Sequence, residues 1–271
     1  MTNPFSYEGK RVVVTGAATG VGAALIELLA ELGAQHVTVL DVKQPTGPHE
    51  EFLETNLADE AALDGVIDRI SGPVHALFNN AGVADTSPPR TVIGVNFLAL
   101  RRLSAALLDR IPEGGAIVNT ASTAGGQWAM HLDQINEVLA IDGWDATLDW
   151  CDANLPGLGV QPYFFSKELV QVHTMQSSRP TIRRGVRTNS VCPSPIDTPL
   201  LKDFRETMTD KVIDWNVSET NGRLVSAREV ATTLAFLGSE AAAYVNGVNL
   251  LVDAGFTAAM TTGQVDFAAL A

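Results

Sequence analysis

The chain reads as a single-domain α/β fold on a parallel sheet covered by helices on both faces. Three observations carry that expectation. Short apolar runs alternate with stretches of helical periodicity along the whole length, the pattern from which parallel sheets with crossover helices are built. The first run, Val12-Val13-Val14, passes through a glycine-rich turn into an Ala/Leu/Ile-rich stretch reaching Leu32. At 271 residues and 46% hydrophobic content the chain can bury one large core, and no internal repeat or low-complexity linker divides it.

Strands are expected at Arg11–Thr15, Gln35–Asp41, Glu51–Glu54, Ala76–Asn79, Ala116–Thr120, Arg187–Cys192 and Asn249–Val252, seven in all, with helices between them. Right-handed crossovers in such a sheet place ligands at the carboxyl ends of the strands. The first strand end carries Thr15-Gly16-Ala17-Ala18-Thr19-Gly20-Val21-Gly22. A turn of this kind lets a pyrophosphate approach backbone N–H groups, and the helix starting near Gly20 points the positive end of its dipole at the phosphates. Gly33 closes that helix before the second strand, which ends in Asp41. An acid there, about 20 residues past the glycines, accepts hydrogen bonds from the adenosine ribose and repels a 2′-phosphate. NAD is therefore expected over NADP. Lys43 could soften the preference, though a lysine just past a strand end is more often solvated.

Further strand ends carry Asn79-Asn80-Ala81-Gly82, which by itself is an ordinary turn composition, and Ser122, a hydroxyl able to donate to a carbonyl oxygen as charge develops on it. Asn96 stands mid-helix between Val95 and Phe97, an unfavourable place for a side-chain amide. Tyr163 and Lys167 are four residues apart in Tyr163-Phe164-Phe165-Ser166-Lys167, so a helix stacks phenol and ammonium on one face. A phenol titrates near ~10 and transfers protons poorly at neutral pH unless a cation favours its ionised form. Alone the pair is weak, since a lysine packed on a tyrosine ring is common.

The glycines Gly16, Gly20 and Gly22, the segment Asn79–Gly82, Ser122 and the Tyr163/Lys167 pair together resemble the short-chain dehydrogenase/reductase family over about residues 9–258. The resemblance implies one Rossmann domain across residues 1–271, with a doubly wound seven-stranded parallel sheet. It assigns the cofactor to Gly16, Thr19, Gly20, Val21, Gly22 and Asp41, to Asn56 and Leu57 after the third strand, and to Asn80, Ala81 and Gly82. Tyr163, Lys167 and the segment holding Pro193, Ile196 and Thr198 complete that set, the last two as contacts of the nicotinamide amide. Asp59 is either an adenine contact or the N-cap of a helix Glu60–Ile70. The family often has glycine after the first proline of the nicotinamide segment, whereas this chain has Ser194.

The catalytic set implied is Asn96, Ser122, Tyr163 and Lys167. Tyr163 exchanges the proton, Ser122 orients the substrate oxygen, Lys167 supports the phenolate and the nicotinamide ribose, and Asn96 binds water at a helix kink linking the lysine to solvent. Thr123 rivals Ser122, and the Thr-Ala-Gly that follows favours Ser122. Burial would raise the phenol's pKa, so Lys167 and the oxidised cofactor are expected to offset it. Within the family, bacterial 3α-hydroxysteroid dehydrogenase/carbonyl reductases and coniferyl-alcohol dehydrogenases are similar in three respects: the segment between Ser122 and Tyr163, the compact stretch before Asn96, and Asp197-Thr198-Pro199-Leu200-Leu201. A hydrophobic alcohol or ketone, steroid-like or aryl, is the implied substrate.

Tyr163 follows Ser122 by 41 residues. The segment 126–160 is either a substrate wall of Trp128, Met130, Trp144 and Trp150 or, as favoured, a self-packed helical hairpin that touches substrate only at its rim. In similar proteins such an insertion hinders a helix-to-helix interface, so a homodimer is expected before a homotetramer. The region 198–218, with Phe204, Met208, Val212 and Trp215, suits a substrate lid.

Two function classes compete with the oxidoreductase reading. A sugar-nucleotide epimerase would carry different glycine spacing and a longer C-terminal domain, and a non-catalytic dinucleotide sensor would tend to lose Tyr163 or Lys167. A net charge of −13 argues against nucleic acid as a partner. Cys151 and Cys192 form no metal or disulfide pattern, and the five histidines do not cluster, so no metal is expected. The start of the chain lacks a leader pattern and no apolar run approaches ~20 residues, so a cytoplasmic protein without a membrane partner is expected.

Overall fold

The computed structural model describes residues 3–267. Nine strands occur among them: β1 (Arg11–Thr15), β2 (His36–Asp41), β3 (Glu51–Glu54), β4 (Ala76–Asn79), β5 (Ala116–Thr120), β6 (Arg187–Pro193), β7 (Ile196–Asp197), β8 (Val225–Ser226) and β9 (Asn249–Val252). Seven form a parallel sheet in the order β3-β2-β1-β4-β5-β6-β9. The expected α/β, single-domain Rossmann architecture is thus the one found. The pair β7/β8 is an addition the sequence reading lacked, because two-residue strands have no periodicity to detect.

Alternation along β1 sends its side chains to opposite faces of the sheet. Val13 joins one core with Leu77, Ile117, Phe97 and Phe165, while Val12 and Val14 join a second with Leu25, Leu29 and Leu234. Strand order reverses at β1/β4, where β1 leads into the first helix (Gly20–Glu31) and β4 into Asn80–Gly82. The crevice beyond these two strand ends is where an open α/β sheet binds its ligand.

Continuous helix from Pro89 to Arg110 is long and apolar enough, by length and composition, to cross a membrane, which corrects the expectation that nothing in the chain approaches that length. Its Ile93, Phe97, Leu98, Leu103 and Leu107 are buried in the first core, the placement of a core helix. Its middle turn, Gly94–Leu98, is a π-helix containing Asn96, so the kink expected there is a widened turn. The helix after β3 spans Glu60–Ile67, shorter than expected, and Asp59 is its N-cap, accepting from Ala62 N at 3.1 Å.

The insertion forms helices Leu132–Ala140 and Trp144–Leu158. Ile135, Val138, Trp144, Leu148, Cys151 and Leu155 bury into the first core, and Trp150 stacks on Phe165 at 5.9 Å between centroids. Arg90 binds Asp149 and Asp152 at 2.9 and 2.7 Å, and Arg101 donates to the Ile141 carbonyl and to Thr147. The insertion is therefore an outer layer of the core.

Candidate active site

The glycine turn is shaped by close approach. Gly16 has φ +70° and a Cβ there would lie 2.6 Å from Ala81 Cα. Gly20 has φ +59° and opens the first helix with Thr198 against it. A Cβ on Gly22 would collide with the Gly16 carbonyl oxygen. Gly22 thus packs the loop from beneath, whereas Gly16, Thr19, Gly20 and Val21 line the cleft. The N-cap Thr19 makes no side-chain cap bond and the first turn holds no acid, so no side chain competes for the N–H groups there. A cradle of this form fits a dinucleotide pyrophosphate.

Asp41 is held at the end of β2 by two backbone donors, Ala18 N at 2.9 Å and Lys43 N at 3.0 Å, and it lines the cleft together with Asn56 and Leu57. Thr15 Oγ1 accepts from both Asn80 N and Ala81 N at 3.0 Å, while Asn80 Nδ2 donates to the Gly16 carbonyl at 3.0 Å. These bonds fix Asn80, Ala81 and Gly82 against the glycine turn. Behind them Asn79 donates to Asn119 and Ser104, and Asn119 to Thr174, tying β4, β5 and the long helix Pro162–Ile182 into one buried polar chain.

Ser122, Tyr163 and Lys167 converge on one wall of the cleft. The Ser122 hydroxyl neighbours the Tyr163 phenol, lowering its pKa, and accepts from Ala124 N at 3.1 Å. Thr123 turns away to the Pro193 carbonyl at 3.3 Å, so position 122 carries the facing hydroxyl. Lys167 Nζ donates to the Thr120 carbonyl at 2.9 Å.

Burial pushes the phenol up to about 12; the Ser122 hydroxyl lowers it and the charge of Asp85 raises it. Burial brings Lys167 down to about 8, with Cys192 opposing that fall. Among the chain's own groups desolvation outweighs charge at the phenol, where the sequence reading expects Lys167 and the oxidised cofactor together to offset it.

Asn96 is fully buried and does not line the cleft. Its amide exchanges bonds with Val83, accepting from the N–H at 2.8 Å and donating to the carbonyl at 3.0 Å, and donates to Ser166 at 3.0 Å. It clamps the loop after Gly82 to the Tyr163 helix.

The cleft encloses about 890 Å³. Pro193, Ile196 and Thr198 line it beyond the glycine turn. Helices Leu201–Met208 and Asp210–Ser218 cover it within the expected lid region, Phe204 lying 4.8 Å from the Tyr163 ring between centroids. From the insertion only Gly126 and Gln127 line the cleft; Trp128, Met130, Trp144 and Trp150 do not. Sequence reasoning missed four participants. Asp85 accepts from Tyr163 N at 2.9 Å, Gln171 holds the Ser122 carbonyl at 2.8 Å, and Phe256 and Met260 line the cleft from the C-terminal helix. An acid three residues past Gly82 was a visible signal for the first; the others had none.

The sequence is similar over 91% of its length to a coniferyl-alcohol dehydrogenase of a Pseudomonas species, at 31% identity and covering 96% of that protein. The chain belongs to the short-chain dehydrogenase/reductase family. Residues 10–132 match the short chain dehydrogenase family model and residues 148–257 the enoyl-(acyl carrier protein) reductase model. A cis-4-hydroxycyclohexanecarboxylate dehydrogenase of Sinomonas cyclohexanicum is also 31% identical, over 93% of this chain and 98% of that protein. A Pseudomonas 3-alpha-hydroxysteroid dehydrogenase solved with NADH superposes with TM-score 0.76 at 28% identity, covering 95% of this chain and all of that one. This short-chain dehydrogenase/reductase is accordingly an oxidoreductase with a nicotinamide dinucleotide site, and both family-level expectations from the sequence stand.

Proposed function

We propose that the protein is an NAD-dependent oxidoreductase that interconverts a hydrophobic alcohol, steroid-like or aryl, with its carbonyl compound, Tyr163 serving as the general acid/base. The observation that carries this reading is the convergence of Ser122, Tyr163 and Lys167 beside the glycine cradle. A bound dinucleotide would accept the hydride in its oxidised, positively charged form and donate it in its reduced form. In oxidation the Tyr163 oxygen takes the hydroxyl proton as the carbinol hydrogen leaves as hydride; in reduction it returns that proton to the developing alkoxide. Ser122 holds the substrate oxygen within reach of the phenol, and the Lys167 ammonium favours the phenolate. Phe204 and the lid exclude water from that oxygen.

Asp41 supports NAD over NADP, because a carboxylate fixed by Ala18 N and Lys43 N repels a 2′-phosphate and suits ribose hydroxyls. Val83, Val95, Phe164, Phe204, Met208 and Ile213 give the substrate end an apolar lining. The insertion covers the outer faces of the helices bearing Arg101 and Phe165, which supports a homodimer in this reading. Nicotinamide absorbance followed with a panel of steroid alcohols, phenylpropanoid alcohols and aryl ketones tests the function. Turnover with hydrophobic members is expected, and cofactor binding with no turnover across the panel would favour the sensor.

A further inference from the structure

We propose that Asp85 is a positioning residue for Tyr163, acting through a hydrogen bond to the tyrosine's own N–H and through its negative charge. The inference rests on the reading of Tyr163 as the proton-transfer group. The helix Pro162–Ile182 begins with a proline, which has no N–H, and its N-cap Gln161 makes no side-chain cap bond. The first N–H the helix must satisfy is therefore that of Tyr163. Asp85, 78 residues away in the loop after Gly82, accepts it at 2.9 Å. The same loop is clamped by Asn96 through both polar groups of Val83, and Asn96 also grips Ser166 one turn further along. Asp85 and Asn96 thus lock the loop to the first turn of the Tyr163 helix at two points. The phenol's place over the cleft is set by that turn.

The charge has a second consequence. Asp85 is half-buried, burial raises its own carboxyl, and its negative charge opposes ionisation of the phenol. The other groups beside Tyr163 are Lys167 and Ser122 from its own wall, with Cys192 beside Lys167, and Asp203 of the lid lines the same cleft. On the Asp85 side, the Arg90 guanidinium of the neighbouring helix is engaged by Asp149 and Asp152. Asp85 thus disfavours the phenolate while holding the phenol in position.

Two variants separate the effects. Asp85→Asn keeps an oxygen acceptor for Tyr163 N and removes the charge; Asp85→Ala removes both. Phenolate absorbance of the NAD-bound protein is titrated for each, subtracting the matching Tyr163→Phe protein, and melting temperature is recorded alongside. The Tyr163 inflection is expected about half a pH unit or more lower in Asp85→Asn than in the wild type. Asp85→Asn should melt with the wild type and Asp85→Ala several degrees lower. Coincident inflections for wild type and Asp85→Asn would overturn the charge role, and coincident melting of Asp85→Ala with the wild type would overturn the bond. Full turnover by Tyr163→Phe would instead sink the proposed function, so the two failures are distinct.

Discussion

Lys167 Nζ lies 5.7 Å from the centroid of the Tyr163 ring while donating to the Thr120 carbonyl at 2.9 Å. The ammonium is thereby pinned to the end of β5 and held alongside the phenol. Neither group is paired with a carboxylate, so each bears the cost of its own desolvation: the phenol rises to about 12 and the ammonium falls to about 8. A positive charge brought into the cleft would favour the phenolate and lower the phenol's pKa.

That displacement of Lys167 has a measurable thermodynamic counterpart. An unfolded lysine keeps its proton up to about 10.5, whereas the buried one releases it near about 8. Between those values the unfolded chain binds more protons, so the Lys167 contribution makes stability rise with pH through that window. The melting temperature of wild type relative to Lys167→Met should therefore increase from pH 8 to pH 10. A constant difference across that range would show that Lys167 keeps its ordinary affinity for the proton.

For Asp41, replacement by Ser should relax discrimination against NADP. Loss of the like-charge contact is expected to move the NAD/NADP ratio of kcat/KM by about tenfold or more toward NADP, corresponding to about 1.4 kcal/mol. Loss of the Ala18 N–H acceptor should also cost about 1 kcal/mol of stability. An unchanged cofactor ratio would count against the ribose assignment.

The insertion offers a contrast between burial and surface charge. Trp144→Ala removes a large side chain that is only 8% exposed and should cost about 3–5 kcal/mol by chemical denaturation. Arg90→Gln breaks contacts to Asp149 and Asp152 in solvent and should lower stability far less than Trp144→Ala does. Comparable losses in the two variants would mean that the ion pairs, and not the packed tryptophan, hold the segment down.

Much of this arrangement was legible in the residues because the residues that make it are local. The seven sheet strands are short apolar runs bounded by turn formers, and their ends fell within a residue of expectation at His36 and Pro193. The glycine turn, Asp41 and the Tyr163/Lys167 spacing are likewise contained within single elements. What escaped depends on contacts across the chain. The grip of Asp85 on Tyr163 N spans 78 residues and that of Gln171 on Ser122 spans 49, and no periodicity encodes either. Trp128, Met130, Trp144 and Trp150 were open to two readings because an aromatic run looks the same against a core as against a substrate. Met130 proves exposed and Trp144 buried, and neither reaches the cleft. The balance between burial and charge at the phenol was also hidden, since it turns on how deeply Tyr163 and Lys167 are covered by Phe204 and the lid.

The most direct measurement is turnover by Tyr163→Phe, in which the ring keeps its contacts with Phe164 and Phe204 and only the hydroxyl is lost. Dinucleotide affinity should stay within a few-fold of the wild type while kcat for the best panel alcohol falls about 100- to 10,000-fold. Wild-type kcat in that variant would contradict the assignment of proton transfer to Tyr163.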